Sequence, residues 1–213
     1  MLQELSFILA SFVAVFVIVD PFAVIPVYLA LTDRFSREER RTIRLKASLI
    51  ACAILGAFGV SGMAIFDVFG ITIPAFQIAG GILLLQIGIA QLNAKRARGR
   101  GIKQIEVQER EDISIFPLAT PLLAGPGAIS TVVLASSKSQ GVLRHVELTV
   151  AIFLVMVATY IILKAAPILY RFLGETGLSL LTRIMGIILT AISVQFILNG
   201  IKGALVMMKI LAA

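Results

Sequence analysis

Tryptophan is absent from this chain, and cysteine and histidine occur once each, as Cys52 and His145. A single cysteine excludes an internal disulfide and any cysteine-based metal cluster, and its apolar setting makes it a packing residue. A single histidine, expected in an outer loop, leaves no Ser–His pair inside a membrane. No apolar segment carries two acids, which excludes an intramembrane aspartyl dyad. Neither a Gly-x-x-x-x-Gly-Lys phosphate loop nor a metal-ligand cluster occurs. The expectation is therefore a non-enzyme with no catalytic residue and no bound metal. Acids are also scarce, 12 against 19 Lys and Arg, for a net charge of +7. In a soluble protein that balance would point to nucleic acid; in an apolar chain it reads as basic loops on one side of a bilayer. No stretch alternates with period two, so a membrane barrel is not expected.

What fills the chain is apolar. Its 213 residues are 59% hydrophobic, with a mean hydropathy of +1.00, against roughly 45–50% apolar usage in soluble domains. Six spans of about 20 residues fit: Leu5–Thr32, Ala47–Phe66, Phe76–Leu92, Ser114–Ser136, Leu148–Tyr170 and Thr182–Ile201. Met1-Leu2-Gln3-Glu4 offers no basic n-region, so the first run reads as a retained span. Ser36 and Glu39 have capping-box spacing for the second helix. Lys and Arg number fourteen in the loops after spans one, three and five. The other side holds Lys138, Arg144, Lys202 and Lys209. The bias places both termini outside the cytoplasm. Lys164, inside span five, reads as a snorkelling side chain, with a counter-ion role as the alternative.

The first span holds the most expensive stretch. Between Leu5 and Thr32 the only charge is Asp20, followed by Pro21 and Pro26. An intramembrane acid costs about 2.5–3.5 kcal/mol on insertion scales. Each proline removes a helical hydrogen bond, tolerated in lipid only beside protein or a water-filled cavity. The same spacing returns at Thr120, Pro121, Gly125 and Pro126. Further echoes lie between Phe66–Gly70 and Tyr170–Gly174, Gln77–Gly80 and Arg183–Gly186, and Leu92-Asn93 and Leu198-Asn199. They predict an all-α membrane protein built as a three-plus-three inverted repeat with broken helices one and four. Residues 1–93 form repeat one, 94–112 a charged cytoplasmic linker, and 113–213 repeat two. Such repeats place a substrate site at mid-membrane in secondary transporters.

On this scheme the second half-helices begin near Pro26 and Pro126. Their amino ends would hold an anion or carboxylate, with Gly125 and Gly127 allowing close approach. The first half-helix ends at Asp20, where carbonyls and a carboxylate would take an ammonium group, a sodium ion or a proton. The candidate substrate-binding set is Asp20, Pro21, Ala23, Pro26, Thr120, Pro121, Gly125, Pro126, Gly127, Ser130, Thr131, Thr190 and Ser193, with Asp20 also the coupling-ion site. For Gly186, Thr190 and Ser193, plain close packing is an equal alternative. Gly56, Gly59, Gly62, Gly80 and Gly81 are assigned to packing.

At these residues the chain resembles the MarC family. The likeness rests on Asp20-Pro21-Phe22 with Pro26, Glu38-Glu39-Arg40-Arg41 after Ser36, Ile78 to Leu84, the long run from Pro117 to Ile129, and Arg183-Ile184-Met185-Gly186. It implies a six-span inner-membrane protein, with some archaeal relatives described as transporters of small neutral amino acids such as alanine and glycine. Two positions depart from the family pattern. Ala23-Val24 stand where Gly-Asn is common, and Ala90 where an acid is common, so this site is less polar. The expectation is transport of a small zwitterionic solute coupled to a proton or sodium ion. Export of another solute, or a scaffold role without transport, are the alternatives. Lipid and a small-molecule substrate are the expected partners, nucleic acid is not, and the sequence leaves room for a homo-oligomer.

Overall fold

The computed structural model describes residues 2–93, 112–137 and 141–208. Among them every regular element is helical: α1 (Leu2–Val19), α2 (Pro21–Thr32), α3 (Arg37–Phe69), α4 (Ile73–Leu92), α5 (Ser114–Leu123), α6 (Pro126–Ser137) and α7 (Val142–Met207). The charged linker expected at 94–112 lies, except for Asp112, outside the described residues.

Helix ends follow local chemistry. Ser36 accepts from the Glu39 amide at 3.3 Å while the Glu39 carboxylate accepts from the Ser36 amide at 2.8 Å, so the expected capping box forms. It starts α3 ten residues ahead of the apolar run at Ala47. With 33 residues, α3 is roughly 50 Å long, so its basic first turns extend past a hydrocarbon core of about 30 Å. Gly70 ends α3 in the left-handed region at φ 64, a conformation that costs glycine nothing. Thr72 caps α4 through the Ala75 amide.

Two expectations are corrected here. The break in the first span falls at Asp20, and α2 starts at Pro21; Pro26 lies inside α2. Both prolines disfavour helical backbone in the residue before them. Asp20 accommodates this at φ 45, ψ 67, a region open to Asp but costly for a β-branched residue such as Ile25. Secondly, His145 and the segment expected as a loop after Tyr170 are helical. α7 runs 66 residues, interrupted only at Gly174 (φ 61, ψ −173). In α5, Phe116 and Thr120 are extended, each directly before a proline, and both of those X–Pro bonds are cis. α6 starts at Pro126, as anticipated.

Three helical stretches are long and apolar enough to cross a membrane: Arg37–Gly62, Ile73–Leu92 and Val142–Met207. Two bent pairs also qualify, Ser6–Val19 with Pro21–Thr32 at 41° and Ser114–Leu123 with Pro126–Ser137 at 56°. Outward faces carry Val60, Ile161 and Ile187, all exposed, which suits lipid contact. Inward, Ile25, Tyr28, Leu84, Leu118, Leu123 and Leu163 are fully buried.

Because lipid is as apolar as a leucine side chain, helix contacts rely on close packing of small residues. Gly59 and Gly62 on α3 meet Val132 and Val133 of α6, and Gly80 on α4 meets Ser130. Gly81 lies against Ser193 and Ile197, Gly88 against Thr190, Gly186 against Gln91, and Gly200 against Pro74. The part of α7 after Gly174 is therefore antiparallel to α4. The part before it runs antiparallel to α3, since Gly59 meets Leu148 and Ile152 while Arg44 lies over Tyr160. Gly56, expected to pack, has nothing within 4 Å of where a β-carbon would stand.

These contacts set two expectations. A β-carbon at Gly81 would come within 2.8 Å of the Ser193 carbonyl oxygen, which cannot step aside. Gly81→Ala should lose about 1–3 kcal/mol of stability in detergent, whereas Gly56→Ala should be neutral or gain up to about 1 kcal/mol. Equal thermal midpoints for the two variants would contradict this packing. At the start of α5, hydrogen bonds from the Ser114 hydroxyl and amide, aided by Lys46 at 3.2 Å, hold the Asp112 carboxyl below its ordinary value of 3.8. A depressed acid stabilises the fold above its unfolded value and loses that contribution as pH falls through the folded one. The thermal-midpoint difference between wild type and Asp112→Asn should thus be flat above about pH 5 and shrink below about pH 4.

Candidate functional site

Asp20 closes one helix and opens the next. Its amide donates to the Phe16 carbonyl at 3.0 Å as the final bond of α1. Its side chain then caps α2, with Oδ1 accepting from the Ala23 amide at 3.3 Å. Oδ2 accepts from Nε2 of Gln91, in the last turn of α4, at 2.9 Å. The residue is only 2% exposed. The amino end of α2, expected to await a ligand's carboxylate, is thus occupied by the chain's own carboxylate, where the helix dipole favours negative charge.

Around this junction acceptors outnumber donors. Pro21 has no N–H, so the Val17 carbonyl lacks its usual helical partner. Gln91 Oε1 is buried with no hydrogen-bond partner. A carboxylate, a freed carbonyl and an amide oxygen suit a cation or a proton.

The second break lies close by. A β-carbon at Gly127, in the first turn of α6, would sit 2.3 Å from Leu84 Cδ2 and 3.4 Å from Ile18 Cγ2. The end of α1, the middle of α4 and the start of α6 therefore meet. Gly125 is required by its turn: a β-carbon there would stand 2.4 Å from the Pro121 carbonyl oxygen. As the first helical residues, Gly127 and Ala128 have amides without intrahelical partners.

The remaining candidates divide between this junction and helix contacts. Pro21 is buried beside Asp20, and Ala23 and Pro26 are half-buried on α2. Pro121 and Pro126 are exposed, and the Thr120 hydroxyl donates to the Ile115 carbonyl at 3.2 Å. Thr131, Thr190 and Ser193 each donate to a carbonyl of their own helix. Ser130, Thr190 and Ser193 lie where α4 packs on α6 and α7. A cleft of about 380 Å³, lined in part by Phe35, Glu39, Lys46 and Asp112, shares no residue with the Asp20 junction.

Gln91 was not legible in the sequence. It stands 71 residues from its partner, in a helix with two other glutamines, Gln77 and Gln86, and nothing local singles it out.

A hydrogen bond to a charged group contributes about 1.5–3 kcal/mol. Gln91→Leu should therefore destabilise the detergent-solubilised protein by about that amount. In an Asp20→Asn background, where the side chain still tolerates the left-handed backbone and still caps α2, the same substitution should cost measurably less. Additive effects in that double-mutant cycle would contradict the Asp20–Gln91 coupling.

Residues 5–205 match the description "MarC family integral membrane protein". The chain is 40% identical over 204 residues to a UPF0056 membrane protein of Methanocaldococcus jannaschii, covering 95% of this chain and 100% of that protein. It is 41% identical over 198 residues to a UPF0056 membrane protein of Aquifex aeolicus, covering 92% of each. The UPF0056 membrane protein YhcE of Escherichia coli is 37% identical over 194 residues, covering 90% of each. No solved structure matches the chain significantly. With nearly its whole length matched and its helices built to lie in lipid, the chain belongs to the MarC family of integral membrane proteins.

Proposed function

We propose that this chain is a secondary transporter of a small zwitterionic solute, a neutral amino acid such as alanine or glycine, coupled to a proton or sodium ion at Asp20. The observation that carries it is the buried Asp20 carboxylate at an interruption between apolar helices, with Gln91 as its side-chain donor. Intramembrane acids are costly and mark ion pathways. The Val17 carbonyl, the Asp20 carboxylate and Gln91 Oε1 would take the coupling ion or the solute's ammonium group. Since Asp20 already fills the amino end of α2, the solute's carboxylate would go to α6, at the Gly127 and Ala128 amides. Gly127 lies under Leu84 and Ile18, so access requires α1 and α4 to separate from α6.

Several features support six spans arranged as two inverted halves. The two bent pairs, α3 and α4 account for four, and the break at Gly174 divides α7 into stretches 142–173 and 175–207. Gly70 and Gly174 share a left-handed φ after corresponding helices, and Pro21 and Pro126 each open a half-helix. By helix start, the counterpart of Asp20 is Gly125, in place of Thr120. The loop bias in Lys and Arg supports termini outside the cytoplasm of an inner membrane. No catalytic step and no bound cofactor enters the proposal.

One observation favours a scaffold without transport: Gly127 is packed directly against Leu84 and Ile18. Proteoliposome uptake separates the two. Labelled alanine and glycine should accumulate under a proton or sodium gradient and stop doing so in Asp20→Asn. Absence of uptake by folded wild-type protein across a panel of zwitterionic solutes would defeat the transporter and leave the scaffold.

A further inference from the structure

Away from Asp20, the basic end of α3 holds an arrangement that transport does not use. Tyr28 is buried on α2, and its hydroxyl donates to the Arg40 carbonyl at 3.4 Å and accepts from Arg44 Nη1 at 3.1 Å. The Arg44 guanidinium lies 5.5 Å from the centre of the Tyr160 ring. Arg41 stands one turn before Arg44, on the same face of α3. Two guanidiniums thus share one face of α3, and Arg44 joins that face to the first stretch of α7.

Among the described residues, no carboxylate forms an ion pair with Arg41 or Arg44. The neighbouring Arg40 differs, being tied to the Phe35 and Asp33 carbonyls at 2.9 Å each. Arg44 Nε is buried without a hydrogen-bond partner. Lys164, one helical turn beyond Tyr160 on the same face, is exposed and adds a third positive charge. Like charges held together at a half-buried site, with a donor left over, form a site for an anion.

Depth narrows the anion's identity. Arg41 and Arg44 stand in the first turns of α3, ahead of the apolar run at Ala47, and Tyr28 is one turn from the end of α2. This is the headgroup level of a membrane-embedded bundle, where Tyr and Arg anchor helices. Guanidinium forks match phosphate oxygens, and a tyrosine hydroxyl can donate to them. We propose that Arg41, Arg44 and Tyr160 form a binding site for the phosphate of an anionic phospholipid in the leaflet at this end of the bundle. The site is independent of whether the protein transports a solute. Its ligand would bridge α3 and α7, elements otherwise held by apolar packing.

The test uses the purified full chain in detergent, titrated with phosphatidylglycerol, phosphatidylcholine or inorganic phosphate. Native mass spectrometry counts bound lipid and the thermal midpoint reports its effect. Phosphatidylglycerol should bind saturably and more tightly than phosphatidylcholine. Arg41→Gln and Arg44→Gln should each weaken it about fivefold, the factor expected for one basic residue at an anionic surface. Arg34→Gln and Arg37→Gln, exposed changes nearby, should leave it unaltered. Arg41 is itself exposed, so Arg41→Gln carries the comparison if Arg44→Gln fails to fold. Equal binding of the two lipids would overturn the site, as would equal weakening by all four substitutions. A midpoint shift from inorganic phosphate that matches the lipid's would reassign the site to a soluble anion and overturn the lipid assignment.

Discussion

One carboxylate sets the course of the first span. Pro21 disfavours ordinary helical backbone in its predecessor, and Asp20 turns left-handed and caps the helix that follows. The 41° bend between α1 and α2 depends on that residue doing both. Gln91 fixes the same carboxylate from α4. A buried charge at a helix junction would otherwise be expensive; here a capping amide, a helix dipole and a side-chain amide offset the cost.

α4 links the two interrupted spans. Its last turn reaches Asp20 through Gln91, and its middle covers the start of α6 through Leu84. Glycines on the same helix, Gly80, Gly81 and Gly88, bring it against α6 and the distal part of α7 at close range. A shift of α4 would therefore be felt at both breaks together. That coupling is what an alternating-access device requires, and what a packed scaffold would equally provide.

Much of this was legible residue by residue. Ser36 and Glu39 announced the start of α3, and the apolar runs announced the helices. Gly174, matched in the sequence with Gly70, is where α7 is interrupted, since only glycine sits comfortably at its backbone angles. The choice between Pro21 and Pro26 was readable in principle. The helices α2 and α6 start where the residue before proline has an unusual backbone option: Asp20 tolerates left-handed φ, Gly125 has no β-carbon, and Ile25 has neither advantage. Equal spacing of the proline pairs concealed this, because spacing carries no information about which proline ends a helix. Hydropathy marks the lipid-facing part of a helix and not its full length, so the apolar run at Ala47 begins ten residues after the helix that Ser36 caps. Gln91 was beyond reach, since a contact across 71 residues leaves no local trace. Hydroxyls such as Thr190 and Ser193 had two readings from sequence, ligand groups or close packing, and each donates to a carbonyl of its own helix.

The central claim is that solute and coupling cation meet at the Asp20 junction, and equilibrium binding addresses it without a gradient. Binding of labelled alanine to the purified protein would be measured with and without sodium, at neutral and mildly acidic pH, for wild type and Asp20→Asn. Reciprocal coupling between the two ligands predicts that sodium or protons tighten alanine binding in wild type and have no effect on whatever binding Asp20→Asn retains. Alanine binding that ignores both cations in wild type, or responds identically in the variant, would contradict the account.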